Sequence, residues 1–131
     1  MITTVQIETT NFCNSHCIFC PRHKLTKFGV MKDETLENIL EDIKAFHPYV
    51  NRICPQGTGE PFMDPDFIGR LRTMRRYLPD VHLSIFTNGS LLNDEHIKQL
   101  KELGNVNVVV SLNGASAKAR KALMGLDDFE R

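Results

Sequence analysis

Cys13, Cys17 and Cys20 place three thiols within eight residues of the stretch TTNFCNSHCIFCPRH, with His16 and His23 beside them. Thiolate is a preferred ligand of zinc and of iron-sulfur clusters, and cysteines at i, i+4 and i+7 on one flexible loop can wrap a compact metal centre. Disulfides fit less well: cysteines this close pair badly across a fold, and the N-terminal MITTVQIE lacks the basic stretch and apolar core of a secretory signal. Reduced thiols in a cytoplasmic protein are the expectation. The residues alone leave two metal readings open. Structural zinc wants four protein ligands, so His16, His23 or Cys54 would have to join the three cysteines, most simply as a Cys3His site. A cuboidal 4Fe-4S cluster on three cysteines would instead keep one iron open to an exogenous ligand.

The elements that must hold this loop are legible from hydrophobic periodicity. TTVQIE (3–8) reads as a strand, and the loop of about 25 residues after it is long enough to suggest function or a bound group. A helix capped by Asp33 carries Leu36, Ile39, Leu40, Ile43 and Phe46 at helical spacing up to Pro48. RICPQ (52–56) is a second strand with Pro55 at its end or at a bulge, and the turn GTGEPF follows. Asp64 and Pro65 open a second helix with Phe67, Leu71, Met74 and Leu78 inward, ending at Pro79. HLSIFT (82–87) is a third strand closed by Asn88-Gly89. Asn93 caps a third helix with Ile97, Leu100 and Leu103 inward and Gly104 as terminator, and VNVVVSL (106–112) is a fourth strand.

Strands alternating with helices in this way predict an α/β fold of parallel βαβ units. Ligands of such sheets gather at the carboxyl ends of the strands. The cysteine loop, GTGEPF, TNG and SLNG all fall there. A length of 131 residues with 41% hydrophobic content suits one domain, and sixteen basic residues balance sixteen acidic ones, so nothing in the net charge points to nucleic acid or an anionic membrane. No apolar run reaches the length of a membrane span. A small or neutral partner is expected.

Cys13-x3-Cys17-x2-Cys20, with Phe19 before the last cysteine, resembles the signature loop of the radical SAM superfamily, and the resemblance continues through the other strand ends over essentially the whole chain. Asn14 and Pro21 look most like the branch whose members often carry an extra cluster domain (the SPASM-associated branch) and modify peptides or activate enzymes. The resemblance implies the first four strands of a partial, six-stranded (β/α)6 TIM-like barrel, so that residues 1–131 would be the N-terminal portion of a core domain. The chain ends at Arg131, where such proteins open their next helix, leaving the apolar strand at 106–112 as an open edge and suggesting truncation.

The family's residues carry over position by position. Cys13, Cys17 and Cys20 would hold a 4Fe-4S cluster whose open iron takes the amino and carboxylate groups of S-adenosylmethionine (SAM). Gly59 and Glu60, in Gly57-Thr58-Gly59-Glu60-Pro61, match the glycine-glutamate motif that holds the cofactor's amino group: glycine lets the ligand approach and a carboxylate satisfies an ammonium. Thr58 departs from the strict Gly-Gly-Glu form. Thr87, Asn88, Ser111 and Asn113 would face the methionyl and ribose parts, with Ser111 and Asn113 on the same side of an extended strand end. Phe19 would lie against adenine. Asn88-Gly89 and Asn113-Gly114 are equally ordinary turn pairs. His16 and His23 are expected to face solvent, Cys54 to sit in the core, and Arg22 and Lys24 to balance cluster charge. The implied reaction is reductive cleavage of SAM to a 5'-deoxyadenosyl radical that abstracts hydrogen from substrate. The implied partners are a flavodoxin or ferredoxin as reductant and a peptide or protein substrate. The alternatives are the zinc-stabilised Cys3His module and an inactive half-barrel without a cluster.

Overall fold

The computed structural model describes residues 3–46 and 49–130. Its four strands, β1 (Thr4–Gln6), β2 (Arg52–Cys54), β3 (His82–Thr87) and β4 (Val106–Val110), form one sheet in the order β1-β2-β3-β4. Every pair is parallel: Val5 aligns with Ile53, Ile53 with Leu83, and Leu83 to Thr87 run along Val106 to Val110. The helices α1 (Asp33–Ala45), α2 (Phe67–Tyr77), α3 (Asp94–Leu103) and α4 (Ala117–Met124) follow successive strands. Sequential parallel order with α1, α2 and α3 packed side by side means that the crossovers share a hand and lie on one side of the sheet. This is the winding of a TIM-like barrel.

The core lies between that side and the helices. Leu36, Leu40 and Ile43 of α1 and Phe67, Leu71 and Met74 of α2 are buried against Ile53, Leu83 and Ile85, so the helical and two-residue periodicities meet in one layer. Alternate strand residues point the other way and include polar groups: Ser84 Oγ donates to Asn107 Oδ1 at 2.7 Å. Pro55 directly follows β2, as its missing N–H demands. Asn93 caps α3 by accepting from the His96 amide at 2.8 Å, and Gly104 ends it with φ 63°.

Several expectations give way. Asp33 does not cap α1; Lys32 holds the cap position, and the Asp33 carboxylate pairs with Arg70 Nη1 at 2.8 Å. α2 begins at Phe67 rather than at Asp64-Pro65, because Asp64 spends its oxygens on the Asp66 amide (3.1 Å) and Arg70 Nε (2.7 Å), holding the chain in a turn. Pro48, the expected stop of α1, lies outside the described residues. Phe46 and Ile97 are exposed rather than inward, and Cys54 is half-buried, not in the core, because β2 turns Ile53 to the helices and its neighbours to the other face. β4 ends at Val110, short of the expected Leu112. Its valines 108–110 are exposed, as an open apolar strand would be. A helix that the sequence pattern did not suggest, α4, follows β4, capped by Ser116 Oγ on the Ala119 amide (3.2 Å) and ended by left-handed Gly125.

Candidate functional site

The cysteine loop is closed at its neck like a hairpin. Thr10 bridges Val30, Thr10 Oγ1 donates to Gly29 O at 3.1 Å, and Asn11 both donates to Lys27 O (2.9 Å) and accepts from the Gly29 amide (2.8 Å). Pro21 then starts a 3-10 turn, Pro21–Lys24, its missing N–H costing nothing at a helix start. From the far side α4 holds the loop: the His16 amide donates to Met124 O at 2.8 Å and the Ile18 amide to Leu123 O at 3.0 Å. These are carbonyls left open at a helix C-terminus.

All three loop cysteines are free thiols, half-buried, and line one hollow of about 240 Å³ with Ser15, His16, Arg22, His23 and Phe28. Ser15 Oγ stands 3.0 Å from Cys13 Sγ and 3.5 Å from Cys17 Sγ, so a hydroxyl already points at the sulfurs. Among the described residues no three Cys, His, Asp or Glu side chains converge as ligands of a single ion. His16 and His23 are exposed as expected, and His23 Nδ1 is engaged by Cys20 O at 2.8 Å. Three thiols around a hollow several atoms wide fit a cluster held by three cysteines, and the two histidines on the same hollow are the donors a Cys3His zinc site would need.

At the end of β2, Glu8 organises the glycine turn. Its Oε1 accepts from the amide of Thr58, from Thr58 Oγ1 (2.8 Å) and from the Gly59 amide (3.2 Å). Gly59 lies so close to Thr10 O and Asn11 Cα that a Cβ would collide with them. Glu60 is only 2% exposed. It caps the 3-10 turn Pro61–Met63 through the Phe62 amide (3.3 Å), accepts from Thr87 Oγ1 at 2.6 Å and, through its other oxygen, from the Asn88 amide at 2.8 Å. Burial pushes its carboxyl above the ordinary range, against the pull of those three donors.

The ends of β3 and β4 join the same assembly. The Gly89 amide donates to Thr87 Oγ1 at 3.0 Å, Gly89 taking φ 79°, and the Ser111 amide donates to Thr87 O at 2.8 Å. Asn88 Nδ2 donates to Asn14 Oδ1 (2.9 Å), while Asn14 Nδ2 donates to Ser90 Oγ (2.8 Å). A continuous hydrogen-bonded path therefore runs from the residue after Cys13 through Asn88 to Glu60, Thr87 and Ser111. Asn113 departs from the expected extended geometry: its φ is 51°, and its side chain turns to Met124 Sδ at 3.7 Å, so it does not simply share a side with Ser111. Phe19, 60% exposed, takes no part in this path. Sequence reasoning missed Glu8 and Arg120. Only a polar residue at the end of β1 hinted at the first, and nothing periodic marked the second.

A parallel βαβ sheet with a three-cysteine loop after its first strand and a glycine-glutamate turn after its second defines one class of protein. The chain belongs to the Radical SAM superfamily, whose model matches residues 7–131. It is 32% identical over 131 residues to a probable GTP 3',8-cyclase of Pyrococcus abyssi, covering 99% of this chain and 41% of that protein. To the tungsten-containing aldehyde ferredoxin oxidoreductase cofactor-modifying protein of Pyrococcus furiosus it is 36% identical over 99 residues, 75% of this chain and 27% of that one. Among solved structures, hexahistidine-tagged anSMEcpe with bound AdoMet superposes with a TM-score of 0.77 at 27% identity, covering 98% of this chain and 37% of that chain. The chain thus spans about two-fifths or less of the length of these relatives. No helix among the described residues is long and apolar enough to cross a membrane.

Proposed function

We propose that residues 1–131 are the N-terminal part of a radical SAM core domain, carrying the cluster site and much of the SAM site of a radical enzyme. Cys13, Cys17 and Cys20 would hold a 4Fe-4S cluster through three thiolates, with SAM as the ligand the protein does not supply. When bound, the cluster and SAM together supply reductive cleavage to methionine and a 5'-deoxyadenosyl radical, which takes a hydrogen atom from substrate. The chain's own contribution is positioning. Gly59 and the turn around it bring bare backbone to the cofactor's amino end. Glu60 locks that turn to Thr87 and Asn88, so its carboxylate shapes this end of the pocket as well as contributing charge. Thr87, Asn88, Ser111 and Asn113 border the methionyl and ribose region, and exposed Phe19 is available to the adenine. A flavodoxin or ferredoxin is the proposed reductant in the cytoplasm.

The observation that carries this reading is the junction of three free thiols on one hollow with a hydrogen-bonded path to three strand ends. Anaerobic reconstitution tests it: uptake of about four iron and four sulfide per chain is expected, and Cys17→Ala should abolish it. Uptake of a single zinc, with His23 required, would replace the cluster by the zinc module. A peptide or protein as hydrogen donor is supported by the likeness of Asn14 and Pro21 to the peptide-modifying branch. Because Asn14 also has a structural task as the clamp to Asn88 and Ser90, the decisive measurement is direct: deuterium passing from a labelled peptide into 5'-deoxyadenosine in the full-length protein. Deuterium that enters only from a small molecule would overturn the peptide assignment.

A further inference from the structure

Arg120 is a buried guanidinium, 2% exposed, in a helix that the sequence pattern did not reveal. All five of its N–H donors have an acceptor. Nε and one N–H of Nη2 hold the Asp128 carboxylate at 2.5 and 3.0 Å. The other N–H of Nη2 donates to Asn88 O at 2.7 Å, and Nη1 donates to Ser111 O at 3.2 Å and Leu112 O at 3.3 Å. One side chain thus grips the backbone beyond β3 and beyond β4 at once. Lysine, a point donor without the planar fork, could not span these acceptors. The backbone approach is equally close: a Cβ on Gly114 would collide with the Arg120 amide and Ala119, so the SLNG turn fits against α4 only with glycine there.

The same helix holds the cysteine loop at its other end, through Leu123 O and Met124 O to the amides of Ile18 and His16. Those amides flank Cys17. Arg120 therefore ties α4 to both strand ends from a position one helical turn away from the carbonyls that receive the loop. Hydrogen bonding to Asp128 raises the Arg120 pKa against its burial.

We propose that Arg120 is a positioning residue that sets the cysteine loop in place relative to the ends of β3 and β4, and hence the spacing between cluster and SAM. The inference rests on the proposed function for its second half only; the mechanical coupling of loop to strand ends stands on the contacts above. A cluster that must meet a sulfonium at one distance needs such a tie: the loop's other bonds toward the strand ends, from Asn14 to Asn88 and Ser90 and from the Glu60 amide to Phe12 O at 2.8 Å, hold its first residues, whereas α4 holds the segment around Cys17.

The test is amide-resolved hydrogen exchange on the full-length protein without cluster, comparing wild type with R120M, R120K and D128N. R120M is expected to speed exchange at His16, Ile18 and Ser111 together by about tenfold or more, with core amides of α1 unchanged. R120K and D128N should show smaller rises at the same amides. Faster exchange at Ser111 with His16 and Ile18 unchanged would overturn the proposal, since Arg120 would then only staple two strand ends. If R120M does not fold, D128N decides by the same criterion. After reconstitution, R120M should retain its iron and sulfide while SAM affinity, read from the SAM-induced change in the electron paramagnetic resonance of the reduced cluster, falls about threefold to thirtyfold. Unchanged affinity would overturn the link to cofactor spacing. A wild-type protein whose reduced cluster does not respond to SAM would instead sink the proposed function, leaving the loop coupling to be judged by exchange alone.

Discussion

Behind the sheet, Leu40, Ile53, Leu71, Met74 and Ile85 are 0% exposed; at the carboxyl ends of the same strands Glu60, Thr87, Asn88, Ser90 and Arg120 are buried almost as deeply, at 2–8%, and none of them is apolar. The first group gains stability from non-directional burial, which tolerates changes that preserve volume. The second must satisfy each donor and acceptor in place, since a buried polar group without a partner costs more than its bond returns. A shape that only has to be compact can be built from leucine. Holding four loops at fixed distances from one another requires directional bonds, and this chain concentrates them where the ligands of a parallel sheet gather.

The largest effect should come from the apolar side. Leu71→Ala removes a fully buried side chain from the core cluster that also holds Ile53 and is expected to cost about 2–5 kcal/mol in urea unfolding, without altering iron uptake per folded molecule. A variant that folds yet loses iron would break the separation between the two regions.

Where the two regions meet, Gly59→Ala is expected to cost about 1–3 kcal/mol, because the added carbon has backbone of Thr10 and Asn11 to displace rather than a flexible side chain. Gly29→Ala is the matched control: nothing lies within 4 Å of its Cβ position, so stability should stay within about 0.5 kcal/mol. Equal effects at both positions would mean that the loop neck yields, and that the glycine turn is not pinned against Thr10 and Asn11.

The contrast also explains what can be read in advance. Four strands and the first three helices are visible because burial of leucine, isoleucine and valine leaves a period in the sequence. α4 leaves none: in AKARKALM only Met124 and Arg120 are buried, and a buried arginine counts as polar in any such pattern. Asp64 misleads for a related reason, since a residue of the right type for a helix start is instead held by Arg70. The cysteine loop and the glycine-glutamate turn are legible because their residue types are chemically unusual. Glu8 with Thr58 and Asn14 with Asn88 are not, because partners 50 and 74 residues apart carry no local signal.

Asn14→Ala sharpens the comparison by breaking one polar tie without disturbing the core. It removes two hydrogen bonds and leaves Asn88 Nδ2 to find another acceptor, at an expected cost of about 1–2 kcal/mol. The readout should be local: faster hydrogen exchange in residues 13–20 at nearly unchanged urea midpoint. A loss spread evenly over the molecule would show that loop and core unfold as one unit.

The smallest expected effect tests whether the polar region is electrostatically relaxed. The folded-state pKa of Glu60 is raised above its ordinary value of 4.5, chiefly by desolvation, so the folded state binds this proton more tightly than the unfolded chain. By linkage, the residue's contribution to stability is greatest below the ordinary value and falls as pH rises through the window up to the raised one. Paired carboxylates elsewhere act in the opposite sense, so the quantity to measure is the difference in unfolding free energy between wild type and Glu60→Gln, followed from about pH 4 to about pH 8. That difference should decline with pH and then level off, with a constant offset for the changed hydrogen bond to the Asn88 amide. A difference that rises with pH would mean that Thr87, Asn88 and Phe62 hold the charged form more strongly than burial opposes it, and that the strand ends are built to keep a negative charge rather than merely to enclose a carboxyl.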